Sequence, residues 1–262
     1  MNRLALCAAP LFGIALVAMS ATAQAEEGAS VISWSTGFEY SSGKYGGTEE
    51  IEDLYVPLTA RLSTSRLSFE LTVPYLSVTA PSGTTVTEPG NEPVSGSGPT
   101  ATESGLGDVI AGVTLYDVFY SDALGMALDL TGKVKFGTAD EMKGLGTGEQ
   151  DFAVRADMYK FYEQFTLMGS AGYKFRGDPA DIDLENVFLG SVGAAVSLSE
   201  KSRIGLMYDY RKSALADGDA ISEVSAFLSR SLNDTWYMQI YAFSGFSDSS
   251  ADWGAGIMFE IS

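Results

Sequence analysis

The sequence predicts an all-β fold: a closed antiparallel transmembrane β-barrel of about twelve strands, with both termini on the periplasmic side. Three observations carry that expectation. First, Ala123 to Gly137 alternates with a period of two. Leu124, Met126, Leu128, Leu130, Gly132, Val134 and Phe136 fall on one face, and Ala127, Asp129, Thr131, Lys133 and Lys135 on the other. This run is longer than the roughly 5–6 residues of an ordinary strand and matches the about 9–11 residues of a tilted membrane strand, apolar toward lipid and polar toward the lumen. Second, the alternation recurs along the chain. Third, tight and long connections take turns between the strands.

The N-terminus reads as an export leader. Met1-Asn2-Arg3 carries one positive charge, Leu4 to Ala18 is nearly all apolar, and Ala23-Gln24-Ala25 fits a small-x-small cleavage site. Residues 1–25 are thus expected to be a secretory signal peptide, leaving 26–262 as one outer-membrane barrel domain. The apolar core is shorter than the roughly 20 residues of a spanning helix and contains Pro10. The single cysteine, Cys7, lies in the leader, so the exported chain is expected to have no disulfide. The alternation also explains a mean hydropathy of only +0.07 at 45% hydrophobic residues, since each apolar position is averaged against a polar neighbour. A net charge of −18 excludes a nucleic-acid partner, because phosphate binding needs a basic face. It suits a surface where divalent cations link carboxylates to lipopolysaccharide phosphates.

Periodic runs between turn residues place strands at about 31–41, 50–62, 65–79, 106–119, 123–137, 150–161, 164–176, 187–198, 202–212, 220–230, 235–245 and 251–261. The number is even, as single-chain bacterial barrels require. In the sixth, Phe152, Val154, Ala156 and Met158 oppose Asp151, Arg155, Asp157 and Tyr159. In the ninth, Ile204, Leu206, Tyr208 and Tyr210 oppose Arg203, Asp209 and Arg211. Tight turns such as Ser63-Thr64 and Tyr162-Glu163 follow the even strands, and longer polar connections follow the odd ones. That is the asymmetry of short periplasmic turns and long external loops. Aromatic residues gather near both ends of the strands: Phe38, Tyr40, Phe136, Phe152, Tyr173, Phe175, Tyr208 and Tyr210 at one, and Trp34, Phe119, Tyr120, Phe161, Phe165, Trp236 and Phe259 at the other. The stretch from about 80 to 104 holds Pro81, Pro89, Pro93 and Pro99 among Gly, Ser and Thr. It is expected to be a long mobile external loop, with an interdomain linker as the alternative.

Three places resemble one family. They are Ser104-Gly-Leu-Gly-Asp-Val-Ile-Ala-Gly112, then Phe136-Gly-Thr with Gly144-Leu-Gly-Thr-Gly-Glu-Gln-Asp151, and Ser247-Asp-Ser-Ser-Ala-Asp-Trp-Gly254. They are similar to the strand entrances and hairpins of the outer-membrane barrel family associated with the MetA pathway of phenol degradation. The resemblance implies an outer-membrane transporter of small or aromatic compounds. The barrel-assembly machinery is an expected partner, with Phe259 standing three residues before the end in place of a terminal aromatic.

There is no histidine, which removes Ser-His hydrolysis and most zinc chemistry, so no enzyme activity and no cofactor are expected. Gly144-Leu-Gly-Thr-Gly148 lacks the spacing and following helix of a phosphate loop and reads as turn glycines. Asp178-Pro-Ala-Asp-Ile-Asp-Leu-Glu185 gathers four carboxylates without the spacing of a calcium loop and reads as a solvated acidic loop.

The lumen-facing set is expected to be Arg61, Arg66, Glu70, Asp129, Lys133, Lys135, Asp151, Arg155, Asp157, Lys174, Arg176, Arg203, Asp209, Arg211, Glu223 and Asp252. Of these, Asp129, Lys133, Lys135, Arg155, Asp157, Lys174, Arg203, Asp209 and Arg211 are the expected lumen-lining and selectivity residues. They either line an aqueous path and set its selectivity, or pair across strands as structural glue. The basic members suggest a positive stripe suited to an anionic solute. The expected function is a monomeric outer-membrane channel for small solutes, aromatic or anionic compounds among them. The alternatives are a structural or adhesive barrel with a plugged lumen, and a soluble periplasmic barrel binding a lipophile.

Overall fold

The computed structural model describes residues 30–88, 92–180 and 182–262, and the backbone of 5–7 and 18–20. The expected leader and its cleavage site lie outside the described residues, apart from a short separate ladder between Ala5–Cys7 and Ala18–Ser20.

The strands are β1 (Val31–Gly43), β2 (Ile51–Ser63), β3 (Leu67–Pro81), β4 in two segments (Thr100–Leu106 and Ile110–Ser121), β5 (Met126–Lys135), β6 (Asp151–Phe161) and β7 (Phe165–Phe175). They continue as β8 (Val187–Ser199), β9 (Ser202–Arg211), β10 (Ile221–Ser231), β11 (Trp236–Gly245) and β12 (Trp253–Ile261). Thirteen ladder segments, two of them halves of β4, make twelve strands among the described residues. Each pairs antiparallel with its chain neighbours, and β12 pairs with β1, so the ring closes with no free edge around its waist. Closure is what lipid demands of a strand structure, because hydrocarbon offers no partner to a backbone N–H or C=O. A single short helical turn, Glu141–Lys143, is the only helix among the described residues.

The expected strands match to within a few residues, with one exception. Tyr75–Pro81 pairs with Thr100–Leu106, so the hairpin continues well past the expected end of its strands and the connecting loop is 82–99. Thr100 to Glu103 is exposed, and Thr79 and Thr102 share a hydroxyl hydrogen bond at 2.9 Å. Thr100–Glu103 is exposed at every position, although its partner strand buries Leu76, Val78 and Ala80, and a strand wetted on both faces needs no apolar alternation. Between Thr72↔Ile110 and Tyr75↔Leu106 the fourth strand holds one residue more than its partner, a bulge at Gly107-Asp108-Val109. A second irregularity lies between Leu115 and Phe119, where Asp117 takes φ +52° and its N–H donates to Asp129 Oδ1 at 2.9 Å.

Burial is inverted relative to a soluble protein. Leu58, Leu71, Leu115, Leu130, Val154, Leu167, Val192, Leu206 and Ile240 are exposed, whereas Lys133, Lys135, Asp151, Lys174 and Arg211 are buried. An outward apolar band and inward charges are the arrangement of a membrane barrel, in which a basic residue on the lipid face at mid-depth costs about 2–4 kcal/mol. Exposed rings crowd both rims. Tyr173, Phe175 and Trp253 stand toward the long loops, and Trp34, Phe119, Phe165 and Trp236 toward the tight turns, whereas Phe38, expected near the outer rim, lies mid-strand opposite Ile257. Phe161 departs from the expected girdle. It follows Tyr159 on the inward face, stacks on it at 6.2 Å between centroids, and joins the lumen cluster.

The connections 64–66, 122–125, 162–164, 200–201 and 232–235 are short; 44–50, 82–99, 136–150, 176–186, 212–220 and 246–252 are longer. The described chain enters β1 and leaves β12 at the short-turn end.

Candidate functional site

The lumen wall is built from every second residue of each strand, and the register orders these residues into rows running across the strands. One row carries Arg61, Glu70, Gly112, Lys133, Ala153 and Lys174 on β2 to β7. Two rows further toward the tight turns, past Thr131, Arg155, Gly172, Leu189 and Arg211, another row holds Asp129, Asp157, Ser170, Ser191, Asp209 and Glu223 on β5 to β10. Above and below the far wall the rows change character. Ala195, Gly205, Phe227, Tyr241 and Gly256 form an apolar row on β8 to β12. The row beside it, toward the tight turns, is Ser197, Arg203, Ser229, Gln239 and Met258.

The ionic row is a network. Arg61 reaches Glu70 at 3.4 Å and Glu260 at 3.3 Å, and Lys133 holds the other oxygen of Glu70 at 2.6 Å. Lys135 meets Asp108 at 2.7 Å, Thr147 Oγ1 at 3.1 Å and Asp151 at 3.7 Å. Lys174 meets Asp151 at 3.0 Å and also Glu88 of the 82–99 loop. Arg155 pairs with Asp157 at 3.0 Å, and Arg211 with Glu223 at 3.0 Å. Charges this far from water need such partners; breaking one buried pair costs about 3–5 kcal/mol. Arg203 differs. It is 6% exposed, no carboxylate among the described residues lies within ion-pair distance, its Nη1 has no partner, and Nε reaches only Ser197 Oγ at 3.4 Å.

The loop 82–99 crosses the mouth at the long-loop end. Glu88 contacts Lys174 on β7, and Glu92 accepts from Ser213 Oγ, from Ala214 N at 2.6 Å and from Leu215 N at 3.1 Å, beyond β9. Val86 N donates to Gly144 O at 2.8 Å. The loop leaves the ring at β3 and β4, so contacts beyond β9 lie across the ring from its root. Polar anchors hold these described parts of the loop, together with Val86, which is buried in the cluster that contains Tyr55 and Leu76.

Large inward side chains on the aromatic wall lie across glycines directly opposite them. Phe227 covers Gly205, Tyr241 covers Gly256, Phe243 covers Gly254, Met207 covers Gly193 and Met258 covers Gly37. A Cβ at any of these glycines would overlap the side chain that covers it. The cluster is continuous, from Tyr159 and Phe161 near the tight turns through Met207, Phe227 and Tyr241 to Tyr55, Leu76 and Val86 at the other mouth. Tyr241 also donates to Glu39 at 2.5 Å.

Asp129, Lys133, Lys135, Arg155, Asp157, Lys174, Arg203, Asp209 and Arg211 all face inward, as their alternation predicts. The anticipated positive stripe is neutralised by ion pairs along the strands, except at Arg203, and at its outer end Arg176 makes none among the described residues. Arg66 and Asp252 are not part of the wall; both are exposed, one in the β2–β3 turn and one in the loop before β12. Arg176 lies one residue past β7, partly exposed, with Nε and Nη1 unpartnered. Sequence reasoning left out Glu39, Phe227, Tyr241, Glu88 and Glu92. Glu39 was detectable from the inward set Ser33, Ser35, Gly37, Glu39 and Ser41 on β1, but the loop carboxylates carry no periodic signal.

Gly144 and Gly148 both sit in the left-handed region at φ +67° and +72°, which fits turn glycines. In the acidic loop Asp181 lies outside the described residues. Glu185 is paired with the exposed Lys212, whose pKa that hydrogen bond raises. Among the described residues no group of three or more His, Cys, Asp and Glu side chains is placed to hold a metal.

The fold is similar to that of an outer membrane channel from Pseudomonas putida F1, at a TM-score of 0.63 and 12% identity, over 88% of this chain and 93% of that one. It is similar also to the KdgM porin, at 0.55 and 8% over 88% and 98%, and to the NanC porin, at 0.55 and 8% over 88% and 100%. At such identities the likeness is one of fold. No protein of curated function matches the sequence. The model of one family, described as "Putative MetA-pathway of phenol degradation", matches residues 14–261, and the chain belongs to that family.

Proposed function

We propose that this chain is an outer-membrane channel passing small solutes, aromatic or anionic compounds among them, with its tight turns and termini in the periplasm and its long loops outside. The observation that carries the reading is the inverted ring: an exposed apolar band outside, and a charged, hydroxyl-rich and aromatic wall inside. The band argues against a soluble lipophile carrier. The ring closes within one chain, so a monomer in contact with lipid and lipopolysaccharide is the expected unit, inserted by the barrel-assembly machinery. The aromatic cluster runs between the mouths and offers a surface along which a ring can move, while the ionic wall keeps its shape. Passage is the activity that this wall of ion pairs, hydroxyls and rings supports best. Refolded residues 26–262 in planar bilayers should give discrete conductance steps in KCl. A folded barrel without steps would sink the reading.

The competing reading is a structural or adhesive barrel, favoured by the anchors of the 82–99 loop on the opposite wall. Deleting 83–98 separates the two. A channel should retain its steps and pass more current per step, whereas an adhesive barrel should lose its surface binding and gain no conductance.

A further inference from the structure

We infer that the short-turn half of the lumen contains a binding subsite for an aromatic monocarboxylate, with Arg203 as the carboxylate anchor and the adjoining row of rings as the seat of the aromatic group. The inference deepens the channel reading and rests on it for its role in passage. Removing a guanidinium from water without an anion is costly, and folds rarely keep such a group unless a ligand completes it. Among the inward cations on the described strands, Arg61, Lys133, Lys135, Arg155, Lys174 and Arg211 have carboxylates within ion-pair distance and Arg203 has none. Its neighbours are acceptors and donors without charge. Ser229 stands directly opposite on β10, which puts the two Cβ atoms about 4.5–5.5 Å apart, and its fully buried Oγ has no partner. A carboxylate between them would accept from the Arg203 fork and from the Ser229 hydroxyl together.

The ring position follows from the register. Two residues along each strand from Arg203 and Ser229 lie Gly205 and Phe227, and Phe227 lies across Gly205. Tyr241 stands next to Phe227 on β11. That step of two residues is about 6.7 Å, which matches the length of a benzoate from carboxylate to far edge. One cation beside an apolar row favours a single negative charge; a phosphate monoester or a dicarboxylate would leave its second charge against rings. Ser225, inward on β10 beyond Phe227, also has an unpartnered buried Oγ. It would accept or donate to a ring hydroxyl, so hydroxybenzoates are included in the class.

The test is calorimetric titration of folded residues 26–262 in detergent with benzoate and with the uncharged isostere benzamide, beside single-channel recording of the same preparation. The expected result is benzoate binding that weakens at least about tenfold in Arg203→Gln, the size of a lost charge-assisted hydrogen bond, with benzamide weak in both. Arg203→Lys should restore part of it, and Phe227→Leu should weaken benzoate more than acetate. Because Arg203 has no acid partner, Arg203→Gln should keep the heat-modifiable folded band on gels. If that variant loses the band, Arg203→Lys decides instead, and equal benzoate affinity with and without lysine's rearranged donors would overturn the assignment. Equal benzoate binding by wild type and Arg203→Gln, or none by either, overturns the subsite even if KCl steps are present and the channel reading stands. Arg203-dependent binding without KCl steps supports the subsite and overturns the channel.

Discussion

From β2 to β7 the inward cations are matched: Arg61 and Lys133 share Glu70, Lys135 and Lys174 share Asp151, and Arg155 holds Asp157. From β8 to β12, near the tight turns, the wall is Phe227, Tyr241, Met207 and Met258 laid across glycines, with one arginine that meets no acid. Residues of the same type therefore do different work on the two sides. On the first wall a basic side chain neutralises acids that the strands have already buried. On the second it awaits a charge from outside the chain. Selectivity and stability are thus separable by position, although both depend on lumen charges.

The largest expected effect is on the ionic wall. Lys174→Met removes the ion pairs to Glu88 and Asp151, leaving Asp151 only Lys135 at 3.7 Å, and should lower stability by about 3–5 kcal/mol, read as a fall in the urea-unfolding midpoint of the refolded barrel. By the same reasoning Lys133→Glu, which sets a second acid against Glu70, should impair folding before it alters selectivity. On the aromatic wall, Gly205→Ala pushes the Phe227 ring off its seat. Overpacking of this kind costs about 1–3 kcal/mol, and the displaced ring should also reduce single-channel conductance. Smallest in stability is Arg203→Gln, expected within about 0.5 kcal/mol of wild type, because no acid loses its partner. A large destabilisation there would erase the distinction between the walls.

Much of the fold was legible in the residues themselves. The alternation from Met126 to Lys135 places every side chain of β5 on its observed face, and the short and long connections alternate as the turn residues indicate. What escaped has physical causes. The outer half of β4, Thr100–Leu106, is wetted on both faces and so lacks the pattern that burial imposes. Closeness to a rim puts Phe161 in the girdle, whereas its parity with Tyr159 points it inward. The pairing of lumen charges depends on strand register and ring closure. Arg61 and Glu260 are 199 positions apart, and Glu92 and Ala214 are 122 apart. For the same reason a paired lysine and the unpaired Arg203 look alike in one dimension, and so do a turn glycine and a glycine beneath a ring.

The most direct test is the zero-current potential of wild type and Arg203→Gln in a KCl gradient across a planar bilayer, with both proteins shown to be folded. A shift toward cation selectivity in the variant is predicted, because the mutation removes a lumen charge that no acid offsets. An unchanged potential accompanied by a lowered unfolding midpoint would contradict the account and make Arg203 one more strut of the barrel.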